Sequence, residues 1–285
     1  SVEPRDYQFA RPWGVPVRYH DFGQYVSQVK PDLVEFHLSY SDMDADIGAH
    51  LNQEYDFDFV VHAPELFSGS HLMDLASDDS EYLARSMKET QRVINITREL
   101  KSYFPTTKRP MIVANVGGFT MDESLSENQK LKCYEQFARS LEKLDLDGVE
   151  LIPQTMAPFP WHFGGQRYQN IFVYSDEIVE WCSKLGLRMC FDVSHSRLTC
   201  NHFGLDFYEF AKALAPITAH LHLGDAKGVN GEGLQVGEGD IDFVRLGEIL
   251  RNGCPQSSFI PEIWQGHKND GQGFWIALDR LEGLI

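Results

Sequence analysis

An apolar run over residues 187–192 ends in Asp192, and His195 follows three positions later, in LRMCFDVSH. A carboxylate and an imidazole delivered together at the tip of a buried strand suit a borderline divalent cation such as Zn²⁺ or Mn²⁺. A capping Asp beside a hydrogen-bonded His is the competing account of these two residues alone. Other strand ends decide between them. His62 closes FDFVVH, Asn115 follows MIVA, Gln154 follows GVELIP, His222 and Asp225 sit in HLHLGD, and Glu262 sits in FIPEIW. Polar groups at the ends of apolar strands are costly to bury alone, and one ion satisfies several at once. Asp192, His222 and Glu262 together make a mixed oxygen and nitrogen site for Mn²⁺, Co²⁺, Mg²⁺ or Zn²⁺, with positions left for substrate oxygens. His220 reads instead as a hydrogen-bonded core group.

Those tips must converge, which asks for a closed sheet. Short apolar strands alternate with amphipathic helices eight times. Strands are expected over 15–21, 33–39, 57–63, 111–116, 148–154, 187–192, 218–223 and 259–264. Glu35 and His37 share one face of the second strand because strand side chains alternate. A helix is expected within 41–52, and long helices over 80–103 and 126–144, where apolar residues recur at helical spacing. Others are expected over 22–29, 176–185, 206–215, 241–251 and 274–281. The pattern predicts an α/β fold, a single (β/α)8 TIM barrel over 15–285, after an irregular segment or linker at 1–14. A doubly wound open sheet is the alternative; the Gly-rich dinucleotide fingerprint is missing after the first strand, which weighs against it. In a barrel, the strand tips that carry Asp192, His222 and Glu262 form the functional face.

Composition narrows the partners. The 285 residues carry a formal charge of -17, which argues against binding to a nucleic-acid backbone but leaves room for a local basic pocket. Five scattered cysteines without a CxxC pair read as free thiols of a reducing compartment. With no signal peptide and no apolar run near membrane-spanning length, the expectation is a soluble, cytoplasmic protein that engages no membrane. The stretch 155–172 holds several aromatics, a Gly pair and no helical period, as a lid or substrate wall would.

FDVSH at 191–195, HLHLGD at 220–225, VGEGDIDF at 236–243 and PEIW at 261–264, in this order, resemble the xylose-isomerase-like TIM-barrel superfamily. That superfamily includes sugar isomerases and epimerases, inosose dehydratases and endonuclease IV-type enzymes. The resemblance spans nearly the whole chain. It implies one divalent metal on Asp192, His222, Glu262 and, at the fifth strand, Gln154 where the family has Glu. It implies a catalytic His195 that faces substrate oxygens or a second metal, and His62 near substrate. In the ketose 3-epimerases the fifth- and eighth-strand glutamates work as a pair of acid/base groups. Gln154 cannot accept a proton, so a symmetric two-base epimerisation is in doubt. Glu262 remains as a base for isomerisation or dehydration, with the metal stabilising an enediolate. The resemblance thus implies a metal-dependent sugar or sugar-phosphate isomerase or epimerase. A keto-polyol dehydratase and a non-catalytic sugar- or metal-binding module are the alternatives. Asn115, Trp161 and Lys227 are candidate substrate contacts, with Phe159, Arg167 and Lys268 in neighbouring loops. The nuclease reading lacks its further metal ligands. PWGVPVRYHDF and PFPWHFGGQ also look like barrels appended to nonulosonic (sialic) acid synthase-like proteins, which implies a sugar-acid synthase domain as a fused or associated partner.

Overall fold

The computed structural model describes residues 1–162 and 165–285, with the side chains of 161, 162 and 165 outside that description. Among the described residues eight parallel strands form the barrel. They are β1 (Gly14–Val17), β2 (Leu33–His37), β3 (Asp58–His62), β4 (Met111–Ala114), β5 (Glu150–Pro153), β6 (Met189–Asp192), β7 (Thr218–Leu223) and β8 (Ser258–Pro261). β1 to β5 pair in sequence order, as do β6 to β8. Bridges Gln154↔Cys190 and Trp13↔Phe259 join the two ladders and close the ring.

Among the described residues eight α-helices accompany the strands: α1 (Phe22–Gln28), α2 (Ser80–Lys101), α3 (Glu127–Lys143), α4 (Ser175–Leu185), α5 (Val193–Phe203), α6 (Phe207–Leu214), α7 (Phe243–Gly253) and α8 (Lys268–Leu281). Helices cover the outside and side chains fill the inside, so strands such as β7 are buried at every position. The barrel interior holds its own apolar layer, one residue from each of β2 to β8: Leu33, Val60, Val113, Ile152, Cys190, Ala219 and Ile260. Strand side chains repeat every second residue. Two positions beyond that layer therefore stand Glu35, His62, Asn115, Gln154, Asp192 and Glu262. On β7 the register sets His220 beside Cys190 and His222 beside Asp192. The apolar layer is the floor on which the polar tips stand.

Three expectations change. The helix expected within 41–52 is replaced by two 3₁₀ turns, Tyr40–Asp44 and Ile47–Ala49. Asp, Ser and Gly in SDMDADIG favour local side-chain bonds over helix, and Ser39 and Asp42 form a reciprocal cap instead. Helix α5 begins directly at the end of β6, where none was expected. Its Ser, Thr, His and Asn content gives little helical signal. Asp192 caps it through the His195 amide, and Gly204 ends it in the left-handed region with φ 66°. Helix α8 starts earlier than expected, across a kink at residues 269–271.

The irregular segment before β1 packs on α8. Arg5 pairs with Asp279 at 2.8 Å and Glu282 at 3.0 Å, and buried Tyr7 meets Trp13 edge-on at 5.4 Å. Among the described residues no helix is long and apolar enough to cross a membrane.

Candidate active site

The polar residues above the apolar floor form two storeys. The lower one centres on Glu35, which is fully buried. Its carboxylate meets Nε2 of His220 at 2.7 Å, of His222 at 3.0 Å and of His37 at 2.5 Å. The other nitrogen of His220 meets Ser258 Oγ at 2.7 Å. Burial alone would raise the Glu35 pKa. The charge on His222 and the bonds from His220, His222 and His37 outweigh it and hold the carboxylate well below its ordinary range. His220 is thus a saturated core group, as its sequence context suggested.

The upper storey uses the same residue types but is not saturated. With its Nε2 given to Glu35, His222 turns Nδ1 toward Asp192 Oδ2 at 3.7 Å and Glu262 Oε2 at 3.5 Å. Neither distance is a hydrogen bond. Glu262 Oε2 is enclosed and no hydrogen bond reaches it. Two ligand atoms on one ion at ~2.0–2.2 Å stand about 3–3.5 Å apart. The spacings approach that range, and an orphaned carboxylate oxygen is what a cation would satisfy. The Glu35–His222 bond also matches the second-shell carboxylate that orients a metal-bound imidazole. His222 Nδ1 thus stands between one carboxylate oxygen of Asp192 and one of Glu262, a donor set whose chemistry suits a divalent ion. The ligand atoms that lie within 4.8 Å of one another belong to Glu35, His220 and His222 and to Glu35, His37 and Glu262, where imidazole nitrogens are already bonded to Glu35; Asp192, His222 and Glu262 are more widely spread.

Several contacts fix this upper storey. The Glu262 amide donates to Leu223 O at 2.8 Å. At Gly224 a Cβ would lie 2.4 Å from the Glu262 carbonyl oxygen, so only glycine lets the ends of β7 and β8 approach so closely. Thr155 clamps Asp192 twice: its hydroxyl accepts from the Asp192 amide at 3.0 Å and donates to the Asp192 carbonyl at 3.1 Å. His195 stands in the first turn of α5. Its Nδ1 donates to Thr155 O at 2.8 Å, and its Nε2 meets Glu232 Oε1 at 2.5 Å. Burial would lower its pKa, but the charges of Asp192 and Glu232 raise it to about 10. Asp225 is structural. Its buried carboxylate accepts the amides of Ala226, Gly237, Gly239 and Ile241 and so folds the whole VGEGDID loop.

These residues open into a chamber of about 320 Å³. Its wall holds four carboxylates, Glu65, Asp192, Glu232 and Glu262, and among the described residues no Lys or Arg. His62 and Gln154 line it too. The His62 Nδ1 donates to Ala63 O at 2.9 Å; burial and the charge of His37 lower its pKa to about 4, leaving a neutral acceptor nitrogen. The Gln154 amide donates to Glu65 Oε1 at 3.3 Å. Burial raises the pKa of Glu65. Burial does the same to Glu262, against the lowering charges of His37 and His222.

Of the residues singled out in the sequence, Asp192, His195, His222, Glu262, Gln154 and His62 meet at this chamber. Asn115 is buried beside it with its Oδ1 taking the Gly117 amide at 3.1 Å. Lys227 is exposed, on the hairpin strand Asp225–Lys227, and lies apart from the chamber wall. The Trp161 side chain lies outside the described residues. Glu35, Glu65 and Glu232 are site residues that the sequence motifs do not mark. Glu35 carried a signal, being a carboxylate inside an otherwise apolar strand. Glu65 and Glu232 sit in loops whose course no periodicity fixes.

Comparison with known proteins agrees with this architecture. Solved structures similar to the chain include a D-tagatose 3-epimerase-like protein, with TM-score 0.63 and 18% identity over 95% of this chain and 99% of that one. An L-ribulose 3-epimerase aligns with TM-score 0.64 and 15% identity, covering 96% and 94%. The 3-keto-D-glucoside 4-epimerase YcjR of E. coli aligns with TM-score 0.62 and 15% identity, covering 95% and 98%. At these identities the likeness speaks for the fold. No curated protein matches the sequence. Residues 24–281 match the family described as xylose isomerase-like TIM barrel, and the closed eight-stranded ring accords with that match: the chain belongs to the xylose isomerase-like TIM-barrel family.

Proposed function

We propose that the protein is a metal-dependent isomerase or epimerase of a neutral keto-sugar. The observation that carries this reading is His222 Nδ1 set between Asp192 Oδ2 and the unsatisfied Glu262 Oε2 on the wall of a sugar-sized chamber. Asp192, His222 and Glu262 would hold the ion, with the Gln154 amide oxygen as a further neutral ligand. When bound, a divalent ion supplies Lewis-acid stabilisation of the negative charge that develops on sugar oxygens as a proton leaves the neighbouring carbon. Glu262 is the base that takes this proton, since burial makes its carboxylate more basic than a solvated one. His195 Nε2, which Glu232 holds at 2.5 Å, donates to a sugar oxygen where that oxygen displaces the Glu232 carboxylate, while Thr155 keeps Nδ1. Glu65 is the other carboxylate placed to hand a proton back, a role closed to Gln154. Its raised pKa suits a group that must hold a proton before giving it.

Among the described residues the chamber wall holds no Lys or Arg to pair with a phosphate or carboxylate on the substrate. Lys227 stands apart from the wall, which favours a free sugar over a sugar phosphate. Dehydration of a keto-polyol starts with the same proton abstraction and remains the second enzymatic reading. Elemental mass spectrometry of the purified protein, beside Asp192→Ala/Glu262→Ala, tests the metal; deuterium uptake into ketoses incubated with the metal-loaded protein in D₂O tests the proton transfer. About one equivalent of metal, lost in the variant, together with deuterium at a carbon next to the carbonyl, is the expected result. No metal after soaking with Mn²⁺, Co²⁺ and Zn²⁺ would overturn the reading and leave a sugar-binding module.

A further inference from the structure

The chamber does not end at Glu262. On the far side of that residue lies a second cavity of about 290 Å³, between the β1 and β8 loops and the start of α8. His37, Glu262 and Trp264 line both cavities. A sugar whose reacting carbon sits at Glu262 therefore has room on two sides. Each cavity is at or near the low end of the ~300–1,000 Å³ typical of small-molecule pockets, so a ligand larger than one hexose would use both.

We propose that the second cavity is a subsite for a further sugar ring, so that the substrate is a glycosylated keto-sugar. This rests on the sugar isomerase or epimerase reading above. The lining has the chemistry of carbohydrate recognition. Trp264 is 74% exposed and lines both cavities, so an aromatic face stands free between them. Sugar rings offer a cover for it through their C–H faces, while their hydroxyl edges need hydrogen-bonding side chains. Asp21, Gln265 and His267 stand around the same cavity. Its one Arg, Arg18, shares the lining with two carboxylates, Asp21 and Glu262, so the wall has no excess of positive charge to draw an anion. The wall is also preformed. The Trp264 amide donates to Gly233 O at 2.8 Å, tying the β8 loop to the hairpin after β7. Gln265, on the cavity wall, and Asn269 and Asp270, in the turn that follows it, adopt left-handed φ values of 56°, 53° and 59°, a conformation that persists where the surroundings enforce it. Asp270 is held by Gln24 Nε2 at 3.0 Å and by the Trp275 indole N–H on its carbonyl at 2.8 Å.

Calorimetric titration of the metal-loaded protein with D-fructose, isomaltulose and lactulose tests the subsite. At least one disaccharide is expected to bind tenfold or more tighter than fructose. Trp264→Ala should weaken that disaccharide at least tenfold more than it weakens fructose, and Trp264→Phe should restore part of the difference. Equal affinities for the three sugars, equal weakening by Trp264→Ala, or no binding of any of them overturns the subsite. Because the readout is binding, its failure is separable from that of the reaction. Tight disaccharide binding without deuterium exchange removes the reaction and keeps the subsite; exchange into fructose without disaccharide preference does the reverse.

Discussion

Glu35 and Glu262 are both carboxylates beside His222, yet they live in opposite conditions. Glu35 lies below, wholly buried, with three imidazole partners at hydrogen-bond distance. Glu262 lies above, half-buried, with an enclosed oxygen that nothing satisfies. A saturated polar cluster makes one arrangement rigid, since every change leaves a buried group unpaired. An unsaturated one is held ready for a ligand. The single imidazole of His222 belongs to both, one nitrogen in each storey. The contrast separates stability from chemistry within one ring of side chains: the lower storey costs folding when broken, and the upper storey costs function.

The largest effect is expected from breaking the upper storey. Glu262→Gln removes the proposed base and weakens the ion site while keeping the shape. It should lower kcat by about 10²–10⁴-fold, with unfolding midpoints of the metal-free protein little changed. A steady-state assay on the deuterium-exchanging ketose, paired with a urea melt, reads both. A loss of stability comparable to the loss of rate would erase the distinction between the storeys.

Next is Glu35→Ala. It strands His220 and His222 in the interior without their shared acceptor. Removing one partner of a buried ion pair costs about 3–5 kcal/mol, and urea denaturation should show a loss in that range. Metal affinity should also fall, by roughly 10–100-fold as for other second-shell partners, because His222 loses the group that fixes its orientation. An unchanged melt would mean that Glu35 is not the pillar described here.

Much of this ring was readable beforehand, for a plain reason. The barrel strands alternate with period two, so an apolar interior residue at Ile152, Cys190 or Ile260 points to Gln154, Asp192 or Glu262 two steps on. The family motifs then assigned those tips. What escaped was what periodicity does not encode. Helix α5 is built from weak helix formers and depends on Asp192 as its cap, so the same side chain that ends a strand also starts a helix. Asp225 looked like another site carboxylate, but its four amide bonds make it the organiser of its loop. Glu65 and Glu232 reach the chamber through loops, and only the folded chain brings them to Gln154 and His195. The second cavity is invisible in sequence for the same reason, since its wall is drawn from β1, β8 and α8 at once.

The smallest effect, and the one that sharpens the comparison most, is Gln154→Glu. In the present chain the Gln154 amide donates to Glu65 at 3.3 Å, a neutral group spacing two negative regions of the wall. A carboxylate at position 154 would add a charged ligand to the upper storey but would lose that donor and face Glu65 directly. Like charges at such distances raise one another's pKa, so the gain in metal affinity should be modest, below the roughly 10–100-fold scale of second-shell changes. Adding Glu65→Gln to Gln154→Glu exchanges the two groups and removes the repulsion. If Glu65 is the second proton-transfer carboxylate, the single variant Glu65→Gln loses stereochemical exchange and the exchanged pair recovers part of it. Metal titrations and deuterium uptake on the three variants check this. Full activity in Glu65→Gln would show that the upper storey works with Glu262 as its one base, as a 1,2-isomerisation or a dehydration requires.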